Sequence, residues 1–534
     1  MIQFVLLYFG MNDLLRNNQF LSFVEESTAE YLSSLNGESR KNIGQVFTPV
    51  PIARFMAAMF DLNKKDISIL DPGAGAGILT AALCDRLINN ITPLKIRVDT
   101  YENDEQILPY LNHNLLKIKQ EFQNTDHSFE FNLLNSDFIE KNADFINSGY
   151  LFNNSGDKPS YDYIISNPPY FKLQKNHPQS LRMRKVVHGQ PNIYFFFMTL
   201  SSILLAENGQ LVFITPRSYC SGSYFKRFRK WFLEKIKLEH IHTFESRRET
   251  FDNNVLQETI IIKGIKKKTK PDHILLSSSY NSDFDNNCIK IKTDYETIIQ
   301  TNDPDQIIHV PSNRLDIEIL ELIRSWKNKF SDLGFRISTG PVVTFRAKKH
   351  LSDDADFDGS HKVPLLWMNH LNEFRVRFPK KNFKKPQTIK VSPESTKLLL
   401  KNKNYVLVKR FSSKEQKKRI YAASYSKSDF NIGYIGIENH LNYIWKPIDE
   451  LTPVESLGIM AILNSSLIDK YFRVVNGNTQ VNASEINSLP FPPYEKIVEI
   501  GEKTLSLETI TDNSINLLVT EILGIPGKIK ESLN

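Results

Sequence analysis

Cysteine is scarce in this sequence, and the three cysteines that occur lie far apart. Cys84, Cys220 and Cys288 form no CxxC pair, and the 12 histidines show no cluster at metal-ligand spacing. The sequence therefore supports neither a disulfide framework nor a structural zinc, and we predict chemistry without a metal. So little cysteine fits a protein of the reducing bacterial or archaeal cytoplasm.

Long apolar runs are also missing. The first ten residues, MIQFVLLYFG, are apolar, but they have no basic leader, no small-residue cleavage site and too little length to cross a bilayer. We therefore expect no membrane association, and Met11 is a candidate alternative start. With 534 residues the chain is too long for one core, so we expect two or three domains.

Acidic residues are nearly absent from one long stretch of the second half. From Lys362 to Lys427 there are 18 Lys and Arg against three acids, whereas the whole chain has a net charge of only +7. A run of positive charge alone most often marks a solvated surface. Aromatic residues are interleaved with this one: Phe374, Phe378, Phe383, Tyr405, Phe411 and Tyr421. This composition is typical of surfaces that meet phosphates and bases.

The first half alternates strand and helix patterns. Short apolar runs predict strands at 67–70, 95–101, 128–134, 161–165 and 210–215. Helical spacing occurs at 50–61, 77–90, 105–120 and 192–206. The alternation predicts an α/β fold with a doubly wound sheet that is covered by helices on both faces. Ligands of such sheets bind beyond the carboxyl ends of the strands, so functional residues are expected there.

The first strand end carries a glycine-rich turn, ILDPGAGAG, at residues 69–77. Gly73, Gly75 and Gly77 allow the backbone to turn tightly and to approach a ligand closely. Nucleotide, flavin and methyl-donor sites all use such a loop, but no Gly-Lys-Ser/Thr follows, which argues against a phosphate-binding P-loop. Asp71 stands at the strand terminus, where a carboxylate can meet a cationic amino group.

The next two strand ends supply acids suited to a nucleoside. Glu102 lies about 25 residues beyond the glycine turn, where an acid can accept both hydroxyls of a ribose; alternatively it only begins the next helix. After the third strand, Asp137 could accept the amine of an adenine and Phe138 could cover its face. Together these residues predict a nucleoside site with no phosphate grip.

The fourth strand ends in SNPPYF, residues 166–171. The exocyclic amine of adenine is a poor nucleophile because its lone pair is delocalised into the ring. An Asn167 side-chain oxygen and a carbonyl fixed by Pro168 and Pro169 could accept both N–H protons and free that lone pair. Tyr170 would stack on the base. The alternative interpretation is a plain turn that closes a buried strand.

Six motifs occur in a characteristic order: QVFTP (45–49), LDPGAGAG (70–77), YENDE (101–105), NSDFI (135–139), NPPY (167–170) and GQLVFITP (209–216). They resemble the motifs of gamma-class N6-adenine-specific DNA methyltransferases of type II restriction-modification systems. The resemblance implies a Rossmann-like domain that binds S-adenosylmethionine and methylates a flipped adenine.

The same resemblance assigns roles to individual residues. It places Thr48 near the methionine part of the donor and Asp71 at the amino group. It also implies Glu102 at the ribose, and Asp137 with Phe138 at the adenine. Phe251, within ETFDNNVLQETIII (249–262), would be a second aromatic residue against the flipped base beside Tyr170.

The second half resembles the target-recognition domains of restriction-modification enzymes. The similarity lies in RISTGPVVTFR (336–346) and in residues 463–493, with the basic stretch between them. We predict five regions: an N-terminal helical extension (1–40), a methyltransferase domain (41–270), a linker (271–320), a mixed α+β DNA target-recognition domain (321–495) and a helical C-terminal tail (496–534).

The resemblance implies double-stranded DNA as the substrate and a cognate restriction endonuclease as a separate chain, and we expect a monomer. Other functions stay open at this point. The NPPY corner also serves methyltransferases of RNA and of protein glutamine amides, and a related corner with Ser in place of Asn serves cytosine N4 methylation. A non-catalytic DNA-binding specificity module is an alternative of another class, against which the intact site residues argue.

Overall fold

A computed structural model of the protein describes residues 19–34, 47–146, 158–246, 258–282, 284, 288–412, 416–477 and 480–533. The chain divides into two compact units, Met1–Asn313 and Arg314–Asn534. We call them the N-terminal unit and the C-terminal unit. Each has a large hydrophobic core of its own.

Helices and strands alternate in the N-terminal unit. Its helices are α1 (Gln19–Ser34), α2 (Val50–Ala58), α3 (Ile78–Leu87), α4 (Leu108–Phe122), α5 (Phe138–Asn142), α6 (Pro178–Arg182), α7 (Ile193–Leu204), α8 (Lys226–Lys235) and α9 (Tyr295–Ile298). Its strands are β1 (Asp66–Pro72), β2 (Lys95–Glu102), β3 (Ser128–Asn135), β4 (Tyr161–Ser166), β5 (Leu205–Pro216), β6 (Ile236–Phe244), β7 (Thr259–Lys266), β8 (His273–Ser279) and β9 (Ile289–Asp294). Every strand and helix predicted for the first half is present.

These nine strands form one sheet in the order β3-β2-β1-β4-β5-β7-β6-β8-β9. Strands β1 to β5 pair in parallel, whereas β7 is antiparallel to β5 and β6. The strand order reverses between β1 and β4, which creates a crevice at their carboxyl ends. The predicted doubly wound parallel sheet is therefore confirmed, with antiparallel strands added toward one edge.

Helix α1 is part of the N-terminal unit. The Asp85 carboxylate on α3 accepts hydrogen bonds from the backbone N–H of Phe20 at 2.9 Å and of Leu21 at 3.1 Å. Phe20, Leu21, Val24 and Tyr31 are buried in the same core as the sheet. The described part of the predicted N-terminal extension is thus a helix that is anchored to the sheet through α3.

Strands and helices are mixed in the C-terminal unit. Its helices are α10 (Arg314–Arg324), α11 (Thr344–Ala347), α12 (Pro453–Asn464), α13 (Ser466–Val475), α14 (Ala483–Asn487), α15 (Tyr494–Leu505), α16 (Asp512–Ile522) and α17 (Gly527–Leu533). Its strands are β10 (Asn328–Lys329), β11 (Arg336–Thr339), β12 (Leu351–Ser352), β13 (Lys362–Leu366), β14 (Leu371–Asn372), β15 (Arg375–Val376), β16 (Thr388–Lys390), β17 (Leu399–Lys401), β18 (Tyr405–Lys409), β19 (Ala422–Tyr425), β20 (Tyr434–Ile437), β21 (Leu441–Trp445) and β22 (Pro490–Phe491). They form a six-stranded sheet (β11-β21-β18-β19-β15-β14), a five-stranded sheet (β12-β16-β13-β20-β17) and the pair β10-β22.

Helices α12 and α15 pack closely because each has a glycine at the contact. A Cβ atom at Gly458 would lie 2.0 Å from the Ile497 carbonyl oxygen, and one at Gly501 would lie 2.0 Å from the Val454 carbonyl oxygen. Any larger residue would therefore separate the two helices. None of the described helices combines the length and apolar character that crossing a membrane demands.

The structure corrects the predicted linker and tail. Strands β8 and β9 extend the N-terminal sheet and α10 begins at Arg314, so residues 271–320 are not a linker. The three helices α15 to α17 contribute Ile497, Val519 and Ile529 to the core of the C-terminal unit. The described residues of the predicted helical tail are therefore helices of this unit and do not form a separate tail. Both segments bury apolar side chains against the units beside them in sequence.

We predict that Asp85→Ala loosens α1 from the sheet. The substitution removes both acceptors of the N–H groups of Phe20 and Leu21, a loss of about 1–2 kcal/mol. Hydrogen exchange of the α1 amides, measured by mass spectrometry, should quicken by about 5–30-fold. Asp85→Asn keeps one side-chain oxygen and should show a smaller effect. Unchanged exchange in α1 would contradict the anchoring role of Asp85.

Candidate active site

The carboxyl ends of the central strands are tied to one another by hydrogen bonds. The Ser166 hydroxyl, at the end of β4, donates to the Pro72 carbonyl at the end of β1, at 2.8 Å. The backbone N–H groups of Gly73 and Ala74 donate to the Tyr101 carbonyl on β2, at 2.9 and 3.0 Å. The residues that follow β1, β2 and β4 are therefore held side by side.

The glycine loop between β1 and α3 needs its glycines. Gly73, Gly75 and Gly77 have φ angles of 75°, 56° and 90°, a left-handed conformation that is strained for other residues. A Cβ atom at Gly77 would also lie 3.0 Å from Leu111 Cδ1. The predicted tight turn into a helix is present, because Gly77 directly precedes α3.

Asp71 is a fully buried carboxylate at the end of β1. Its Oδ2 accepts a hydrogen bond from Thr80 Oγ1 at 2.8 Å, but its Oδ1 has no hydrogen-bond partner among the described residues. Burial raises the pKa of Asp71 to about 7, and the negative charge of Glu102 adds to this, while the hydrogen bonds from Thr80 oppose it. A buried acceptor without a donor is costly, so Asp71 suits a cationic group that supplies one.

Glu102 closes β2 and binds the glycine loop. Its Oε2 accepts from the Gly75 N–H at 2.8 Å, and its Oε1 accepts from the N–H groups of Asn103 at 2.8 Å and Asp104 at 3.0 Å. The next helix begins only at Leu108, so the interpretation of Glu102 as a helix-start residue does not apply. Two carboxylate oxygens have room for further donors, such as ribose hydroxyls.

Two adjoining cavities of about 310 and 120 Å³ lie along this edge. Residues that line both are Gly73, Glu102, Asn103, Pro169 and Phe197. The larger also meets Asp137 and Phe138, and the smaller also meets Thr48 and Asn167. Together they form one groove of a size suited to a small molecule. Asp71 lines neither cavity, so its contact with a ligand stays a prediction.

Asp137 serves the local structure as well as the groove. Its Oδ1 caps α5 by accepting the Glu140 N–H at 2.8 Å, and its Oδ2 accepts from Gln179 Nε2 at 2.9 Å. Phe138 is buried, with its ring centre 5.1 Å from those of Tyr101 and Phe197. Asp137 and Phe138, which were predicted to contact an adenine, thus lie at the larger cavity of the groove. Asp137 already has two hydrogen-bond partners there.

One wall of the larger cavity was not predicted from the sequence. Phe171, Leu173, His177 and Gln179 reach it from the segment after β4. His177 Nδ1 is buried and has no hydrogen-bond partner among the described residues. No motif marks these side chains, and only their position just after NPPY could have suggested them.

Asn167 and Tyr170 are joined to Thr48 in one chain of hydrogen bonds. Asn167 Nδ2 donates to Thr48 Oγ1 at 3.0 Å, and the Tyr170 hydroxyl donates to Asn167 Oδ1 at 2.7 Å. The same hydroxyl lies 3.1 Å from the Ile214 carbonyl oxygen on β5. Burial holds the pKa of Tyr170 well above its ordinary value, so the hydroxyl stays a donor. These contacts fix the orientation of the Asn167 amide.

The structure thus gathers most of the predicted site at one edge of the sheet. Pro168 is buried and Pro169 faces the groove. Phe251 lies outside the described residues, so its predicted contact with a base has no structural account. The described part of the chain contains no group of three His, Cys, Asp or Glu residues that could hold a metal ion.

Comparison with known proteins shows what this chain is similar to. The family model described as Eco57I restriction-modification methylase matches residues 54–251. The type II methyltransferase M.BsuBI of Bacillus subtilis is 34% identical over 510 residues, 95% of this chain and 98% of that protein. The type II methyltransferase M.PstI of Providencia stuartii is 33% identical over 501 residues, 91% of this chain and 95% of that protein. The similarity therefore extends through both units.

One solved structure resembles the chain over nearly its whole length. The type IIL restriction-modification enzyme MmeI, in complex with DNA, has a TM-score of 0.52 with this chain, covering 96% of this chain and 74% of that one. The sequence identity is 12%, so this likeness shows the fold alone.

Proposed function

Because this chain belongs to the type II methyltransferases of restriction-modification systems, we propose that it methylates the N6 amine of one adenine in a specific site of duplex DNA. Methylation of that site protects host DNA from a cognate endonuclease, which is a separate chain. The methyl donor is S-adenosylmethionine. The observation that carries the proposal is the oriented Asn167 amide beside the groove at the end of β4.

Asn167 is suited to activate an aromatic amine. Tyr170 donates a hydrogen bond to its Oδ1. A carboxamide oxygen can accept two hydrogen bonds, and we propose that the substrate N–H is a further donor to this oxygen. The Pro168 carbonyl is the second acceptor that we propose. Two acceptors at one nitrogen draw it toward tetrahedral geometry and release its lone pair for attack, and their fixed positions spare reorganisation. Asn rather than Ser at this corner favours adenine over cytosine.

We propose that the groove holds the donor along its length. S-adenosylmethionine supplies an electrophilic methyl group on a positively charged sulfur. We assign Glu102 to the ribose hydroxyls, and Asp137 with Phe138 to the adenine ring. We assign Asp71, with its unpartnered Oδ1, to the cationic amino group, and Thr48 to the methionine part.

The target base must leave the DNA stack to reach Asn167. Flipping a base costs a few kcal/mol, and stacking on an aromatic ring returns part of that cost. Tyr170 is the ring that we assign to this contact, because its hydroxyl is held by Asn167 and β5. The C-terminal unit, which carries the basic stretch, is proposed to recognise the DNA site, and the chain is proposed to act as a monomer.

The first experiment is transfer of labelled methyl from S-adenosylmethionine to mixed-sequence duplex DNA, followed by nucleoside analysis. We expect N6-methyladenine, and we expect Asn167→Ala to lower kcat by about 10²–10³-fold because it removes an oriented acceptor. Asn132→Ala, which alters an exposed amide bonded to Asp99, is the matched control and should leave activity unchanged. Label in RNA, in protein or in cytosine would contradict the proposal, as would donor binding without any transfer.

Thr48 is predicted to act as a positioning residue for Asn167. Thr48→Val removes the acceptor of the Asn167 amide, a loss of about 1 kcal/mol, so kcat should fall by about fivefold. Thr48→Ser keeps the hydroxyl and should restore kcat. Steady-state kinetics with both substrates separate this effect from weaker donor binding, which would raise the donor KM. Equal activity of the Val and Ser variants would show that the bond has no such role.

The raised pKa of Asp71 leads us to predict that donor binding depends on pH. Its pKa of about 7 lies above the ordinary 3.8, so the carboxyl is neutral below that pH and ionised above it. A neutral carboxyl cannot form an ion pair with an ammonium group. The donor affinity should therefore be highest above about pH 7 and fall roughly tenfold for each pH unit below it. Titration calorimetry with the donor at a series of pH values around 7 measures this affinity.

Two variants test whether Asp71 is the group that causes this pH dependence. Asp71→Asn should bind the donor weakly and without this pH dependence. The control is Asp85→Asn, which alters another buried carboxylate of the same unit that lines neither cavity. In this variant the pH midpoint of donor binding should be the same as in wild type. If the pH dependence of donor affinity in Asp71→Asn kept the wild-type midpoint, the titrating group would be a residue other than Asp71.

A further inference from the structure

One edge of the C-terminal unit exposes aromatic rings beside cations. Phe345, on α11, is 76% exposed, and the Arg346 guanidinium lies 5.3 Å from the centre of its ring. After β18, the Arg410 guanidinium lies 5.7 Å from the Phe411 ring centre, and the His440 ring centre lies 5.1 Å from that of Phe411. We call these five residues the Phe345 patch. Phe345 is the exposed ring of this patch, and Phe411 and His440 are partly exposed; an apolar ring in water favours a partner that covers it.

Backbone hydrogen bonds join the three segments that carry the patch. The Val342 N–H donates to the Ile437 carbonyl at 3.1 Å, and the Asn439 N–H donates to the Val342 carbonyl at 3.0 Å. The Arg410 N–H donates to the His440 carbonyl at 3.0 Å. Helix α11 begins two residues after Val342, so Phe345 is presented from the same framework as Arg410 and His440.

The cations of this edge lack acidic partners. Neither Arg346 nor Arg410 forms an ion pair with a carboxylate of the described residues, and neither do Lys409 and Lys380. Lys409 is half-buried, with its ammonium group 4.9 Å from the Tyr421 ring centre. Burial and the nearby charge of Lys380 lower the pKa of Lys409. Like charges held together without an acid gain from an anionic ligand.

The one acid that these segments contribute is turned inward. Glu438 is fully buried, and its carboxylate accepts the His440 N–H at 2.9 Å and His440 Nδ1 at 2.5 Å. Its carboxylate therefore does not face solvent and offers no direct contact to an anion at this surface. The same bonds orient the half-exposed His440 ring and leave Nε2 for an external partner.

We propose that the Phe345 patch is the surface by which the C-terminal unit holds duplex DNA. Arg346, Arg410 and the neighbouring Lys409 contact phosphates, whereas Phe345 and His440 face the bases. Glu438 acts as a positioning residue for His440. This inference rests on the proposed function, because it takes duplex DNA as the substrate.

Duplex DNA is favoured over a protein partner by the balance of charge. Protein interfaces bury apolar cores and are depleted in Lys. A protein surface that binds DNA instead presents Lys and Arg without acidic partners to a row of phosphates. Among the described residues of these segments, Arg346, Lys409 and Arg410 have no acidic partner, although Arg410 also donates to the Asn439 carbonyl at 3.1 Å, and the acid Glu438 is buried. Exposed rings next to such cations can contact base faces or methyl groups.

The test is equilibrium binding of the full chain to a fluorescent duplex that contains the mapped methylation site, over a series of salt concentrations. Arg346→Gln and Arg410→Gln should each weaken binding and lower the slope of log affinity against log salt by about 0.9 per lost phosphate contact. Phe345→Ala should weaken binding by roughly tenfold without changing the slope. In all three, the KM for DNA should rise while donor affinity stays unchanged.

Matched controls lie on the same unit. Arg314→Gln alters an exposed arginine and Leu517→Ala an exposed apolar residue outside the patch, and both should bind DNA within about twofold of wild type. Thermal unfolding followed by circular dichroism shows whether the C-terminal unit of a variant is folded, since that unit has its own core. Phe345→Trp, which keeps a ring, should retain binding.

The outcomes separate this inference from the proposed function. If wild type methylates duplex DNA and the patch variants bind it as wild type does, the patch is not the DNA surface, although the proposed function stands. If the variants instead abolish a dimer without affecting DNA binding, the patch is a self-association surface and the inference fails. If wild type neither binds nor methylates any duplex, the proposed function itself fails.

His440 gives a test of base contact. His440→Ala should reduce the preference for the mapped site over single-mismatch sites by roughly tenfold at one position, because a lost contact to a base edge relaxes specificity there. Glu438→Gln keeps only one side-chain acceptor and so holds the ring less firmly, and it should shift specificity in the same direction to a smaller extent. An equal loss of affinity for all sequences would place His440 on a phosphate and overturn its base-facing assignment.

Discussion

The geometry of the site depends on the carboxylate of Glu102. It receives three backbone N–H groups, from Gly75 in the glycine loop and from Asn103 and Asp104 after β2. Together with the bonds from the Gly73 and Ala74 N–H groups to the Tyr101 carbonyl, this side chain fixes the turn after β1 relative to the end of β2. Asp104 then accepts the Tyr31 hydroxyl at 2.9 Å, which extends the same restraint to α1. A ligand hydroxyl would meet an acceptor whose position is already set, which spares the cost of ordering it.

Hydrophobic patterning predicted the parallel half of the sheet and failed beyond it. Strands β1 to β5 are apolar and separated by helices, so period and length identify them. Strand β8 ends in Ser277, Ser278 and Ser279, which read as a loop but are buried. Ser277 and Ser279 bond to the rings of His240 and His242 on β6. Polar residues that satisfy one another in a core carry no apolar signal, and their pairing is visible only in three dimensions.

The candidate site divides along the same line. Asp71, Glu102, Asp137 and Asn167 each follow a predicted strand, and parallel strands bring their carboxyl ends to one edge, so topology alone predicted their proximity. The bonds between them were not predictable, because they depend on partners distant in sequence. Asn167 and Thr48 are separated by 119 positions, and Asp137 and Gln179 by 42. Nothing in a linear sequence says that a given amide and hydroxyl will meet.

The basic stretch shows why a count of charges overstates a binding surface. Among its cations, Lys362 pairs with Asp354, Lys418 with Asp512, and Lys427 with Glu450. Arg419 is buried, and its backbone N–H is bonded to Asp469. The three paired lysines have little attraction left for a phosphate, because each charge is already balanced nearby, and the buried Arg419 does not face solvent. Lys409 and Arg410, where β18 ends, are among the cations that have no acidic partner in the described residues. A charged run in a sequence therefore locates a functional region, but only the pairing of its members separates cations that support the fold from cations available to a ligand.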